Sequence, residues 1–154
     1  MKNILLGLSG IVVLSLTAAS LTWLIVGEPD RSVPCDPESL EQGQVCFSEV
    51  QSWEKGSYLW VDARNRKLWE KNGVEGSVLL TDDNAEDYDV LEQNFAETAF
   101  RGGDSYQRIV VYCGAKGCET SKEIAKSLRN KFTSMMDFEV YVLFGGWKAF
   151  PVEE

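Results

Sequence analysis

The run Arg108-Ile-Val-Val-Tyr112, then Cys113-Gly-Ala-Lys-Gly-Cys118, then Glu119 to Phe132 leaves few folding options open. Its first part is short and β-branched, the pattern of a buried strand. Its last part sets Ile124, Ala125, Leu128 and Phe132 on one side of a helix, so that face is apolar. Between them lies a small loop of Gly114, Ala115, Lys116, Gly117 and Cys118. Such a loop can turn its main-chain N–H groups inward, and the following helix adds the positive end of its dipole. An anion is stabilised there, and a thiol at position 113 should ionise readily. Two readings of Cys113 stand open: a reactive thiolate in an anion-binding loop, or a buried structural thiol of the kind common in cores.

The rest of the chain alternates in the same way. Strands are expected over Leu59 to Asp62, Ser77 to Leu80 and within Phe138 to Trp147. Helical turns are expected over Ser48 to Lys55, with Val50 and Trp53 on one face, and over Asn65 to Lys71. A longer amphipathic helix is expected over Asp87 to Phe100, carrying Leu91, Phe95 and Ala99 and closed by Arg101-Gly-Gly-Asp104. The acidic stretch Thr81 to Asp89 reads as a solvated loop. Strands alternating with helices predict an α/β fold, a parallel sheet flanked by helices on both faces. Ligands in such sheets bind beyond the carboxyl ends of the strands, and Cys113 follows such an end.

In order along the chain come a strand ending in Asp62-Ala-Arg64, then Trp69, the turn Gly73-Val-Glu-Gly76-Ser77, the strand-Tyr112-Cys113 loop, and a last strand with Gly145-Gly146-Trp147. This ordered set resembles a rhodanese (sulfurtransferase) domain, from about Val45 to Phe150. The resemblance implies that Cys113 is the nucleophile. It would take sulfur from a small donor as a persulfide cradled by loop N–H groups and pass it to a thiol acceptor, with no cofactor. It also implies that Asp62 and Arg64 serve mainly as structural support. The chain departs from the family in three places. Val74 stands where the family turn has histidine, the loop contains no arginine, and Cys118 stands where the family's Arg-Ser begins, with Ser121 the nearest serine; the position that related phosphatases of this fold need as arginine is Glu119. Glu119 would repel phosphate, which disfavours phosphatase chemistry. Lys116 is the loop's only cation. Cys118 has three open roles: a resolving thiol, a disulfide partner that locks the site, or inert packing.

Composition narrows the function classes. A net charge of −9 argues against nucleic-acid binding. With no histidine and four cysteines in two separated pairs, no metal site is expected. Ile4 to Val26 holds no charged residue. As a helix it would be on the order of 34 Å long, enough for a hydrocarbon core of roughly 30 Å. Lys2 precedes it and Glu28 and Asp30 follow, so the N-terminus is expected in the cytoplasm and the globular part outside, in a periplasmic or extracellular space. A cleaved signal peptide is the competing reading. It would leave Leu21 to Val26 as an apolar stub. Export implies an oxidising compartment, where Cys35 and Cys46 would form a structural disulfide.

The expected organisation is a transmembrane signal-anchor helix over residues 1–27, a linker and lead-in over 28–44, and the rhodanese-like domain over 45–152. The expected function is a membrane-anchored sulfurtransferase working through a Cys113 persulfide. The alternative is a non-catalytic binding or thiol-redox module using the Cys113/Cys118 pair.

Overall fold

The computed structural model describes residues 34–101, 106–114, 119–132 and 137–151. The expected transmembrane segment lies outside them, as do loop residues 115–118 and the glycines expected to close the long helix after Arg101. Among the described residues no helix is long and apolar enough to cross a membrane.

Five strands form one parallel sheet: β1 (Gln44–Val45), β2 (Tyr58–Asp62), β3 (Val78–Leu79), β4 (Arg108–Tyr112) and β5 (Glu139–Leu143), in the order β1-β5-β4-β2-β3. The helices are α1 (Phe47–Ser52), α2 (Arg66–Asn72), α3 (Tyr88–Arg101) and α4 (Glu119–Phe132). β4 is central because it is apolar on both sides. Ile109, Val111 and Cys113 join one core cluster, while Val110 and Tyr112 join the other. Near-continuous β-branched sequence is what a strand buried on both faces needs.

The first core layer carries the two long helices. Leu91, Phe95 and Ala99 of α3 recur every fourth residue and bury one stripe. Ser121, Ile124, Ala125 and Leu128 of α4 do the same against β4 and β5. Asp87 starts α3 by accepting from the N–H groups of Asp89 and Val90, and Asn65 caps α2 through the Leu68 N–H. The opposite layer is aromatic. Phe47, Trp53, Tyr58, Trp60, Tyr112, Trp147 and Phe150 pack there, covered by α1 and a 3-10 turn over Gly146–Ala149.

The outer strands β1 and β3 are two residues each. β1 is absent from the sequence-based expectation, and two mechanisms hold it. The Arg129 guanidinium of α4 donates to the carbonyls of Val140 and Gly43, bridging β5 to the turn before β1. Gly43 has φ 82°, and a Cβ there would lie 2.5 Å from the Arg129 guanidinium. At the other end of β1, Cys46 is bonded to Cys35 with Cα atoms 5.7 Å apart. That disulfide ties the segment containing the Pro37–Ser39 turn to the sheet.

Candidate functional site at the carboxyl ends of β2 and β4

β2 and β4 are neighbours, but the chain leaves them in opposite directions, toward β3 and toward β5. A parallel sheet opens a crevice where connections diverge in this way, beyond the carboxyl ends of the strands. β2 delivers Asp62, Ala63 and Arg64 to that place, and β4 delivers Tyr112, Cys113 and Gly114.

Asp62 is fully buried. Its carboxylate accepts from Arg64 Nη2 at 2.8 Å, Arg64 Nε at 3.0 Å, the Arg64 main-chain N–H at 2.9 Å and the Tyr112 hydroxyl at 2.8 Å. Burying an ion pair costs desolvation, which is offset only if the remaining donors and acceptors are filled. Here they are filled. Arg64 also donates to Asn72 Oδ1 at 3.2 Å, and its Cζ lies 4.0 Å from the centre of the Trp147 ring. No buried side-chain polar atom lacks a partner among the described residues. The Arg64 charge is therefore paired with Asp62, and the guanidinium forms a brace from the end of β2 to Asn72.

Tyr112 completes the brace. Its hydroxyl donates to Asp62 and accepts from the Val74 N–H at 3.1 Å. Burial first, and the Asp62 charge second, push the phenol up to about 12. It stays protonated and serves as a donor across the neutral range. The Gly73 turn is fixed separately. Trp69 Nε1 donates to Ser77 Oγ at 3.0 Å, and a Cβ on Gly73 would stand 2.6 Å from the Trp69 carbonyl oxygen.

Cys113 sits one residue past β4 and is 2% exposed, with its side chain in the first core cluster. It is disulfide-bonded, so in this state it is neither thiol nor thiolate. Cys35 and Cys46 are bonded to each other. The main chain at Cys113 is held on both sides. The Tyr112 carbonyl accepts from the Ala63 N–H at 2.8 Å, and the Cys113 carbonyl accepts from the Trp147 N–H. Gly114 is exposed. Ala115, Lys116, Gly117 and Cys118 of the expected anion-binding loop lie outside the described residues. Among the described residues no group of His, Cys, Asp and Glu is arranged to hold a metal ion.

The site thus joins Asp62, Arg64 and Cys113, and adds Tyr112, Asn72, Val74 and Trp147, to which the sequence reading gave no role. The signal for Tyr112 is its place in β4. It alternates out of phase with Cys113, so it faces the layer that also receives Trp60 and Trp147.

Residues 49–152 match the family model for the Rhodanese-like domain, a span of 104 of the 154 residues. The chain belongs to the rhodanese-like domain family. The rhodanese-like match starts inside α1, so β1 and the Cys35–Cys46 disulfide precede it. Comparison with curated proteins found no match. Among solved structures, the chain is similar to the N-terminal domain of a "putative ATP/GTP binding protein" from Clostridium difficile 630. Identity is 17%, TM-score 0.44, and coverage 69% of this chain and 94% of that one.

Proposed function

We propose that this rhodanese-like protein is a membrane-tethered sulfurtransferase that moves sulfane sulfur through a persulfide on Cys113. The observation that carries the reading is the placement of Cys113 directly after the central strand, at the crevice between β2 and β4, with both flanking carbonyls hydrogen-bonded. With thiosulfate as donor, the Cys113 thiolate attacks the outer sulfur. The donor S–S bond breaks and its electron pair leaves with sulfite, giving Cys113–S–S⁻. An acceptor thiolate then attacks the outer sulfur of the protonated persulfide, regenerating the Cys113 thiolate and releasing RS–SH. The Asp62–Arg64–Tyr112 brace holds the strand ends while this happens and takes no part in bond making.

A second reading, a thiol-redox module, is favoured by the oxidised state of Cys113. With Cys35 and Cys46 paired, Cys118 is the remaining cysteine of the sequence. A Cys118 thiolate attacking the inner sulfur of Cys113–S–SH would form a disulfide and expel HS⁻; an external dithiol would then have to reduce that disulfide. The anchor and the placement outside the cytoplasm are supported by the uncharged run Ile4 to Val26 and by the Cys35–Cys46 disulfide, which suits an oxidising space.

Mass spectrometry of the reduced protein after thiosulfate treatment tests the first reading. The expected result is a one-sulfur gain that is lost in Cys113→Ser and kept in Cys118→Ser. A reduced wild type that gains no sulfur from thiosulfate or from an organic persulfide would rule out transfer through Cys113.

A further inference from the structure

We propose that Trp147 is a positioning residue for Cys113, acting through its main-chain N–H and held in register by the stacked guanidinium of Arg64. The proposal rests on the reading of Cys113 as the sulfur-carrying residue. It starts from the two peptide units that flank Cys113. β2 and β5 lie on opposite sides of β4. The Tyr112 carbonyl is taken by Ala63 at the end of β2, and the Cys113 carbonyl by Trp147 just after β5. Every described peptide is trans, so the C=O and N–H of one unit point in opposite directions. Anchoring the Cys113 carbonyl on the β5 side therefore turns the Gly114 N–H away from β5.

The position of the Trp147 N–H is itself determined. It follows two consecutive glycines in left-handed conformation, Gly145 at φ 83° and Gly146 at φ 56°, a turn that non-glycine residues adopt only with strain. Those glycines set a direction but supply no side chain to hold it. The indole does so. It lies on Arg64, 4.0 Å from Cζ to ring centre, and against Phe150, with ring centres 5.2 Å apart. Arg64 is in turn fixed by Asp62 and Asn72. A continuous path thus runs from the buried carboxylate through the guanidinium and the indole to the carbonyl of Cys113. The cation–π contact contributes geometry here, because the Arg64 charge is already neutralised.

Oriented amides favour a thiolate over a thiol, so loosening this path should make Cys113 harder to ionise. The test uses the reduced full-length protein and no sulfur donor. Iodoacetamide alkylation is followed against pH, peptide by peptide, so that Cys113 is read apart from the other cysteines. Trp147→Ala should raise the pH midpoint of Cys113 alkylation by about one unit, a roughly tenfold loss of thiolate below the midpoint. Trp147→Phe, which keeps an aromatic face for Arg64, should restore most of it. If Trp147→Ala does not fold, Trp147→Leu, bulky but without a π face, is read in the same way. A midpoint equal to that of the wild type in a variant whose melting temperature has fallen would reduce Trp147 to packing and overturn the proposal. Failure of the sulfurtransferase reading shows separately, as absence of the one-sulfur gain in the wild type.

Discussion

The Tyr112 hydroxyl donates to Asp62 Oδ2 at 2.8 Å, and the two residues are also register partners on adjacent strands. One hydrogen bond therefore joins the carboxyl ends of β2 and β4 at the point from which Cys113 projects. It also fills a position on a buried carboxylate that would otherwise be short of donors.

Tyr112→Phe should destabilise the domain by about 1.5–3 kcal/mol, the usual range for a hydrogen bond to a charged group, and it also leaves the Val74 N–H unpaired. Urea denaturation of the oxidised protein checks this. The same residue predicts an alkaline limit. Its phenol is raised in the folded state from 10.0 to about 12, through burial and then through the Asp62 charge. Its contribution is fully present below about pH 10 and is lost as pH rises through the folded value. Stability measured between about pH 10 and 12 should fall more steeply in wild type than in Tyr112→Phe; parallel curves would contradict the assignment.

Asp62→Ala would strand the Arg64 guanidinium, which has only 3% of its side chain accessible, without its counter-ion. The expected loss is about 3–5 kcal/mol. Asp62→Ala combined with Arg64→Leu should lose less than the sum of the two single changes, because the second substitution removes the orphaned charge. Additive losses in a double-mutant cycle would mean that the pair is not coupled as described.

Cys35→Ser should cost roughly 2–3 kcal/mol in non-reducing buffer, since the bond closes a short loop in the unfolded chain. Cys35→Ser/Cys46→Ser should behave like the single variant. Adding reductant should lower wild type at least as far as either variant, since it also opens the disulfide of Cys113, and an unaffected melting curve would count against a structural role.

Sulfur uptake at Cys113 should require prior reduction, because the thiolate is the nucleophile and a disulfide-bonded sulfur is not one. Oxidised protein given thiosulfate alone should gain no mass. The same protein pretreated with a dithiol and freed of it should gain one sulfur at the Cys113 peptide. Equal labelling before and after reduction would show that Cys113 is not gated in this way.

The elements that periodicity defines strongly were legible in the sequence. The helix read from Glu119 to Phe132 has those bounds in the structure, and the strand ending at Tyr112 is β4. Both carry enough repeated apolar positions to outweigh local ambiguity. β1 was not legible, because two residues, Gln44 and Val45, cannot show a period; the strand exists through its pairing with β5, the Arg129 bridge and the disulfide. Within the site, Cys113, Asp62 and Arg64 stood out as residue types at strand ends. The parts played by Tyr112 and Trp147 did not, since each depends on contacts across the sheet. An aromatic after two glycines has the same local pattern whether it merely packs or fixes a carbonyl on another strand.

Both borders of the sheet are strands of two residues. A border that short offers an incoming chain very few free main-chain groups, and so gives little foothold for strand-by-strand growth into fibrils.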